Sequence, residues 1–339
     1  MARESVSDTA HRLRADVERL ALPEGRRAGT AAHQRALRFL EGRVREIGLE
    51  PYGSGYVLPF AAADGELANA DGDFANAEPE PANLVAVAPG RDRTVAPLLI
   101  AAHTDTAGDL PGADDNAAAV AIALEVGARL HAQPAERDVL IALFAAEEPP
   151  FFLTPRMGST HFYRAQARMP VHAALVMDLV GHAVQLPGHE DLLFVTGMES
   201  DADLERAILA LPARDDLRLV TALNRYVGDL SDHHVFRLKQ VPYLFLTCAR
   251  WAHYHTATDT PERLDYPKMA AIADTLEVLT RDVATRPLAG PWEGYDTTPT
   301  DLATMRAGLG PALAALGLEL RDRRDIDRAA VVLLERLGL

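Results

Sequence analysis

The chain has 339 residues, 48% of them hydrophobic and 24% charged, which suits one large domain or two with a sizeable core and excludes a largely disordered chain. With 34 basic against 49 acidic residues the formal net charge is −15, which argues against a nucleic-acid or anionic-membrane partner. Cys248 is the one cysteine, so an intramolecular disulfide and the cysteine-based zinc sites are excluded.

The N-terminal MARESVSDTAHRLRADVERL has no apolar core of signal-peptide type, and no apolar run is long enough for a membrane span. The expectation is a cytoplasmic protein. Leu13, Val17 and Leu20 recur at helical spacing from Asp8 to Leu22, where Pro23 and Gly25 interrupt. A second helix is predicted over about 30–47, with Ala36, Phe39, Leu40, Val44 and Ile47 on one face together with Arg43, and Gly48 as its stop. Residues 61–82 are rich in Ala, Asp and Gly and read as an irregular excursion. Short apolar runs of buried-strand type follow at 84–88, 97–102, 139–144, 174–180 and 241–246. Helical segments separate them near 116–132, 158–168, 201–211, 232–239 and 266–284. The alternation predicts an α/β fold with a mostly parallel central sheet flanked by helices. In such sheets ligands sit beyond the carboxyl ends of the strands.

After residue 285 the character changes. Residues 286–300 hold three prolines and read as a linker. A helical C-terminal extension follows over about 301–316 and 325–338. Leu302, Met305, Leu309 and Leu313 stripe its first helix, which Gly310-Pro311 is expected to interrupt. This divides the chain into a catalytic domain, 1–285, with the helices of 8–47 packed on it, and an extension, 286–339. The extension packs on the catalytic domain, mediates a homo-oligomer or covers the cleft; the sequence leaves the three open.

Five segments at or near strand ends finish in metal-type ligands. They are His103-Thr104-Asp105, Asp114-Asp115, Glu147-Glu148, Asp178, and His253-Tyr254-His255. Apolar strands that end repeatedly in His, Asp or Glu are not a packing pattern, because carboxylates are seldom buried without a partner. Imidazole and carboxylate without thiolate suit zinc, with manganese or cobalt as alternatives. Two histidines and three carboxylates exceed the needs of one catalytic zinc. They fit two metals about 3.5–4 Å apart sharing a carboxylate and a water. In Glu147-Glu148 one carboxylate can ligate while its neighbour takes a proton.

The motifs HTD at 103–105, PGADDN at 111–116, AAEE at 145–148, MDLVG at 177–181, SDH at 231–233 and YHTATDTPE at 254–262 occur in one order. In that order the sequence resembles the co-catalytic zinc aminopeptidase family, which includes bacterial leucine aminopeptidases and glutaminyl cyclases, over about residues 84–284. The resemblance implies two zinc ions and one role for each matched position. His103 and Asp178 would hold one metal, Glu148 and His255 the other, and Asp115 would bridge them. Asp105 would orient the His103 imidazole, and Glu147 would be the general base. The peptide Asp115–Asn116 would be cis, as it often is in the family. Tyr254 matches a tyrosine that in some family aminopeptidases hydrogen-bonds the oxyanion, where the cyclases carry Trp. The implied activity is removal of an N-terminal residue from a peptide. The alternatives are a zinc acyltransferase cyclising N-terminal glutamine and a small-molecule amide hydrolase.

Other chemistry-bearing residues have plainer readings. Asp114 reads as a loop or capping residue and Asp232 as a helix N-cap. His182, His189 and His234 read as surface or core histidines, His253 as a residue close to the site without a role in it, and Cys248 as a buried strand residue. For Phe151, Phe152 and Trp251 a pocket wall and ordinary packing are equally good readings.

Overall fold

A computed structural model describes residues 6–60, 80–292 and 294–337. The predicted excursion lies, over 61–79, outside the described residues. Its elements run in chain order as helices α1 (Val6–Leu20) and α2 (Ala31–Ile47), strands β1 (Glu50–Pro51), β2 (Val57–Pro59), β3 (Ala82–Ala88) and β4 (Leu98–His103), and helix α3 (Ala118–Ala132). There follow β5 (Val139–Phe144), α4 (Gly158–His161), β6 (Ala173–Met177), β7 (Leu192–Thr196), α5 (Ala202–Leu209), β8 (Arg218–Thr221), α6 (Asn224–Val227) and α7 (His233–Leu238). The last are β9 (Tyr243–Thr247), α8 (Tyr266–Val283), α9 (Thr298–Ala315) and α10 (Arg323–Leu337).

The sheet runs β1-β3-β5-β4-β6-β9-β7-β8, with β2 also on β3. Its centre, β5-β4-β6-β9, is parallel. The margins mix in antiparallel pairs: β3 runs against β5, and β7 against β9. The two shortest strands, β1 and β2, both add antiparallel to β3. The centre therefore follows the expected parallel order, and strands not foreseen in the sequence make the edges. All four central strands are buried throughout, which is why they read as continuous apolar runs.

Alternate residues serve opposite faces. Leu98, Ile100, Val139, Ile141, Leu175 and Leu244 meet the layer that contains α1, α3 and α8. Leu99, Leu140, Val176, Tyr243 and Phe245 meet Phe162, Val235 and Phe236 on the other side. Helix α3 is buried around almost its whole circumference, and its alanines let α1 and α8 close over it. Each fully buried Leu, Ile or Val in these layers contributes about 1.5–3 kcal/mol.

Helix α2 begins with the Thr30 hydroxyl accepting from the His33 N–H, and it stops at Gly48, whose φ of 90° is left-handed. Arg43, the polar member of its apolar face, forms a two-point ion pair with Asp16 of α1, at 2.7 and 3.2 Å.

The C-terminal extension lies on the catalytic layers. Helix α9 packs across β8 so closely that a Cβ at Gly308 would sit 2.4 Å from Val220. Thr221 of β8 donates to Asp301 at 2.7 Å, and Arg323 of α10 pairs with the same carboxylate at 2.7 Å. The expected break at Gly310-Pro311 does not occur: Pro311 lies inside a continuous α9. Burial of Met305 and Leu309 before the proline and Leu313 after it holds both halves on the same surface. Those contacts offset the hydrogen bond that proline removes. Among the described residues no helix is long and apolar enough to cross a membrane.

Candidate metal centre

The four central strands are parallel, so their carboxyl ends share one edge of the sheet. His103 ends β4, Glu147 and Glu148 follow β5, Asp178 follows β6, and His255 lies in the loop after β9. Asp115 comes from the turn Ala113–Ala117 that leads into α3. Asp115–Asn116 is cis, as the sequence resemblance implies.

Asp115 stands between two imidazoles. Its Oδ1 is 3.1 Å from His103 Nε2, and its Oδ2 is 3.0 Å from His255 Nε2. Asp178 Oδ1 lies 3.5 Å from His103 Nε2, and Glu148 Oε1 lies 3.1 Å from His255 Nε2. The five expected ligands thus form two groups that share Asp115. Glu147 reaches the first group, with Oε2 4.0 Å from His103 Nε2. Donor atoms of His103, Asp115 and Glu148 all fall within 4.8 Å of one another.

The donor set fits a metal. His103 Nε2, Asp178 Oδ1 and Glu147 Oε1 are buried without a hydrogen-bond partner, a costly arrangement unless something else meets them. His103 Nδ1 faces the Asp105 carbonyl oxygen at 3.2 Å. Donation there puts the proton on Nδ1 and leaves the Nε2 lone pair directed at the centre.

Without a cation the centre is electrostatically frustrated. Burial opposes the charge on His103, but Asp178, Glu147 and the nearby Asp105 and Asp115 carboxylates raise its pKa well above the usual range. Burial likewise opposes the charge on His255, while Asp115 and Glu148 raise it to about 10. Burial disfavours the Asp115 carboxylate, yet the two adjacent histidines hold its pKa low. Burial and the nearby Asp115 push Glu148 up to about 7. Burial pushes Glu147 well above the carboxylate range, and the neighbouring Asp178, Glu148 and Asp232 add to the shift against His103.

Asp105 has a different geometry from the one expected. Its carboxylate is 3.7 Å from His103 Nδ1, and its nearer contacts are the backbone N–H groups of Glu147 and Glu148, both at 3.1 Å. It therefore fixes the segment that carries both glutamates. Tyr254 lies in the site, its ring stacked on His255 with centroids 3.8 Å apart. A cavity of about 230 Å³ opens beside the centre, walled by Phe152, Leu179, Val227, Leu230 and Phe245. Phe152 is thus a wall residue, whereas Phe151 packs against the core of Ala145 and Ala146. Trp251 stacks on His182, with centroids 4.7 Å apart.

Several residues do more than their plain sequence readings allowed. Asp114 is fully buried, accepts from the Gly181 N–H at 2.6 Å and faces His182 Nδ1 at 2.7 Å, tying the ligand-bearing turn to the segment after Asp178. Asp259 accepts from the N–H groups of Asp114 and Asp115, at 2.9 and 3.1 Å. Asp232 precedes α7, but its side chain makes no cap hydrogen bond; it is buried near the centre, and burial pushes its pKa up to about 7. His234 is a partly buried partner of Asp229, at 2.8 Å.

Arg26 was not foreseen at all. It is buried and donates to the carbonyls of Leu20, Thr104, Pro111 and Gly112 at 2.6–2.9 Å. Burial lowers its pKa to about 10, so it stays charged at neutral pH. It clamps the segment after His103 to the turn that carries Asp115. Arg26→Met keeps the stem and removes the donors. We expect a loss of about 3 kcal/mol or more in urea unfolding, because hydrogen bonds to charged groups contribute about 1.5–3 kcal/mol each.

Residues 83–280, more than half of the chain, match peptidase family M28. The uncharacterized protein YfbL of Escherichia coli K12 is 31% identical over 208 residues; the match takes in 52% of this chain and 64%, under two thirds, of that protein. Among solved structures, the aminopeptidase from Aneurinibacillus sp. strain AM-1 is similar in fold, with a TM-score of 0.63 at 16% identity over 86% of this chain and 98% of its own. The glutaminyl cyclase of Bacteroides thetaiotaomicron is similar with a TM-score of 0.60 at 16% identity over 80% and 97%. A Zn-dependent exopeptidase from Parabacteroides distasonis scores 0.60 at 17% identity over 82% and 98%. The chain belongs to peptidase family M28.

Proposed function

We propose that this protein is a dizinc aminopeptidase, which removes the N-terminal residue of a peptide or small amide. The observation that carries this reading is Asp115, whose two carboxylate oxygens face two different imidazoles at 3.1 and 3.0 Å. His103 and Asp178 would hold one zinc, His255 and Glu148 the other, and Asp115 both, with manganese or cobalt as alternatives. When bound, the zinc pair polarises the scissile carbonyl and acidifies water.

The residues of the chain supply the rest. Glu147 takes a proton from the attacking water and delivers it to the leaving amine; its raised pKa suits a base that must also act as an acid. Asp105 holds the Glu147 and Glu148 backbone, which keeps base and ligand in fixed relation. Tyr254, packed on His255, would donate its hydroxyl to the oxygen that gains charge. The acidic character of the centre favours a substrate with a free amine. The apolar walls of the cavity suit an uncharged side chain.

The fold likeness to a glutaminyl cyclase supports a second reading, cyclisation of N-terminal glutamine with release of ammonia. Tyr254 weighs toward hydrolysis. The test is chelation followed by zinc: peptides with a free N-terminus should lose one residue, stop losing it in chelator, and resume when zinc is restored. Loss of ammonia alone would favour the cyclase.

A further inference from the structure

The cavity beside the centre carries one feature that removal of an apolar N-terminal residue does not use. Arg250 is exposed, lines the cavity, and is the only Lys or Arg among the described residues that do so. Its guanidinium lies over the Tyr254 ring, 4.9 Å from the centroid. Tyr254 in turn lies on His255, which makes a three-layer stack of guanidinium, phenol and imidazole. The stack fixes where the guanidinium sits without consuming any of its N–H donors.

Those donors have no carboxylate within ion-pair distance among the described residues. The carboxylates nearest in the cavity are Asp115, Glu147, Glu148 and Asp178, each already engaged in the centre. A fixed, unpaired guanidinium at the rim of an otherwise apolar and acidic cavity is a site for an anion that arrives with the substrate. Planar two-point recognition of carboxylate is what this group does best.

Reach decides which part of the substrate bears the anion. Each extended residue spans about 3.3–3.6 Å, so amine and carboxylate of a dipeptide lie about 7 Å apart. Tyr254 contacts both groups, so the Arg250 guanidinium lies within about 9 Å of the His255 ring, a span that a short peptide with its amine at the centre can bridge.

We propose that Arg250 binds a carboxylate on the residue downstream of the scissile bond and makes short, acid-terminated peptides the preferred substrates. This rests on the aminopeptidase reading. The test compares Leu-Ala, Leu-Ala-amide and Leu-Glu-amide in the zinc-loaded wild type, R250K and R250Q. Wild type should favour Leu-Ala over Leu-Ala-amide at least tenfold in kcat/KM, chiefly through KM. In R250Q the ratio should fall to within twofold, and R250K should lie between. A gain for Leu-Glu-amide over Leu-Ala-amide would make a side-chain carboxylate an accepted source; no such gain would assign the site to the main-chain carboxylate. Equal rates for Leu-Ala and Leu-Ala-amide in wild type, or a ratio unchanged in R250Q, would overturn the proposal and leave the aminopeptidase reading intact. If wild type cleaves none of the three, that reading fails instead. Calorimetric binding of Leu-Ala and its amide to E147A, with and without R250Q, then decides the carboxylate question independently of turnover: tighter Leu-Ala binding that needs Arg250 supports it, and equal binding overturns it.

Discussion

Replacing Glu147 with alanine is expected to lower kcat by roughly 10³–10⁴-fold, at the upper part of the range for loss of a general acid–base group. Zinc content, measured by elemental analysis, should not change. The two halves of the prediction come from different contacts. Glu147 Oε2 is 4.0 Å from His103 Nε2, farther than any of the three proposed carboxylate ligands is from its imidazole, so its loss leaves both donor groups complete. Its Oε1 is buried with no hydrogen-bond partner, so the carboxylate is held where a water or substrate group can meet it. Glu147→Gln keeps the shape and removes the base, and should be nearly as inactive. Full activity in either variant would remove the proton-transfer role assigned to Glu147.

Asp115→Ala is expected to abolish activity by the opposite route, loss of metal. Each oxygen of Asp115 serves a different donor group, so one substitution damages both. The expected fall in zinc affinity exceeds the roughly 10–100-fold typical for loss of a residue that only supports a ligand. Metal content should drop from the proposed two zinc per chain toward none after dialysis against a weak chelator. The variant should nevertheless fold. In the metal-free protein Asp178 and Glu147 also face His103 and Glu148 faces His255, so neither imidazole is left without a carboxylate when Asp115 is lost. Retention of one zinc would mean that the two groups are independent and that Asp115 does not bridge.

The central strands and the ligands at their ends were legible in the sequence for one physical reason. A strand buried on both faces must be apolar throughout, so a His, Asp or Glu at its end stands out. The runs at 84–88 and 139–144 follow from local sequence in this way, whereas the cis peptide after Asp115 was expected only from the family resemblance. Strand β8, only four residues and half polar in exposure, has too little apolar signal to be seen. Strand β7 is fully buried, and its run Leu192–Thr196 was available but unread. Arg26, and the role of Asp259 within the motif at 254–262, went unseen for a deeper reason. Arg26 meets carbonyls as much as 86 residues away and Asp259 amides 144 and 145 away, and a backbone group has no sequence signature. The continuity of α9 through Pro311 is a similar case, since the contacts of Leu309 and Leu313 with the catalytic layers override a local breaker.

The most direct measurement is mass spectrometry of a mixed peptide pool incubated with the zinc-loaded protein, with and without chelator. The pool holds peptides with free, acetylated and glutaminyl N-termini. The account predicts loss of one N-terminal residue from the free peptides, none from the acetylated ones, and no loss at all in chelator. Cleavage that persists in chelator, removal of residues from acetylated peptides, or no change in any peptide would contradict it.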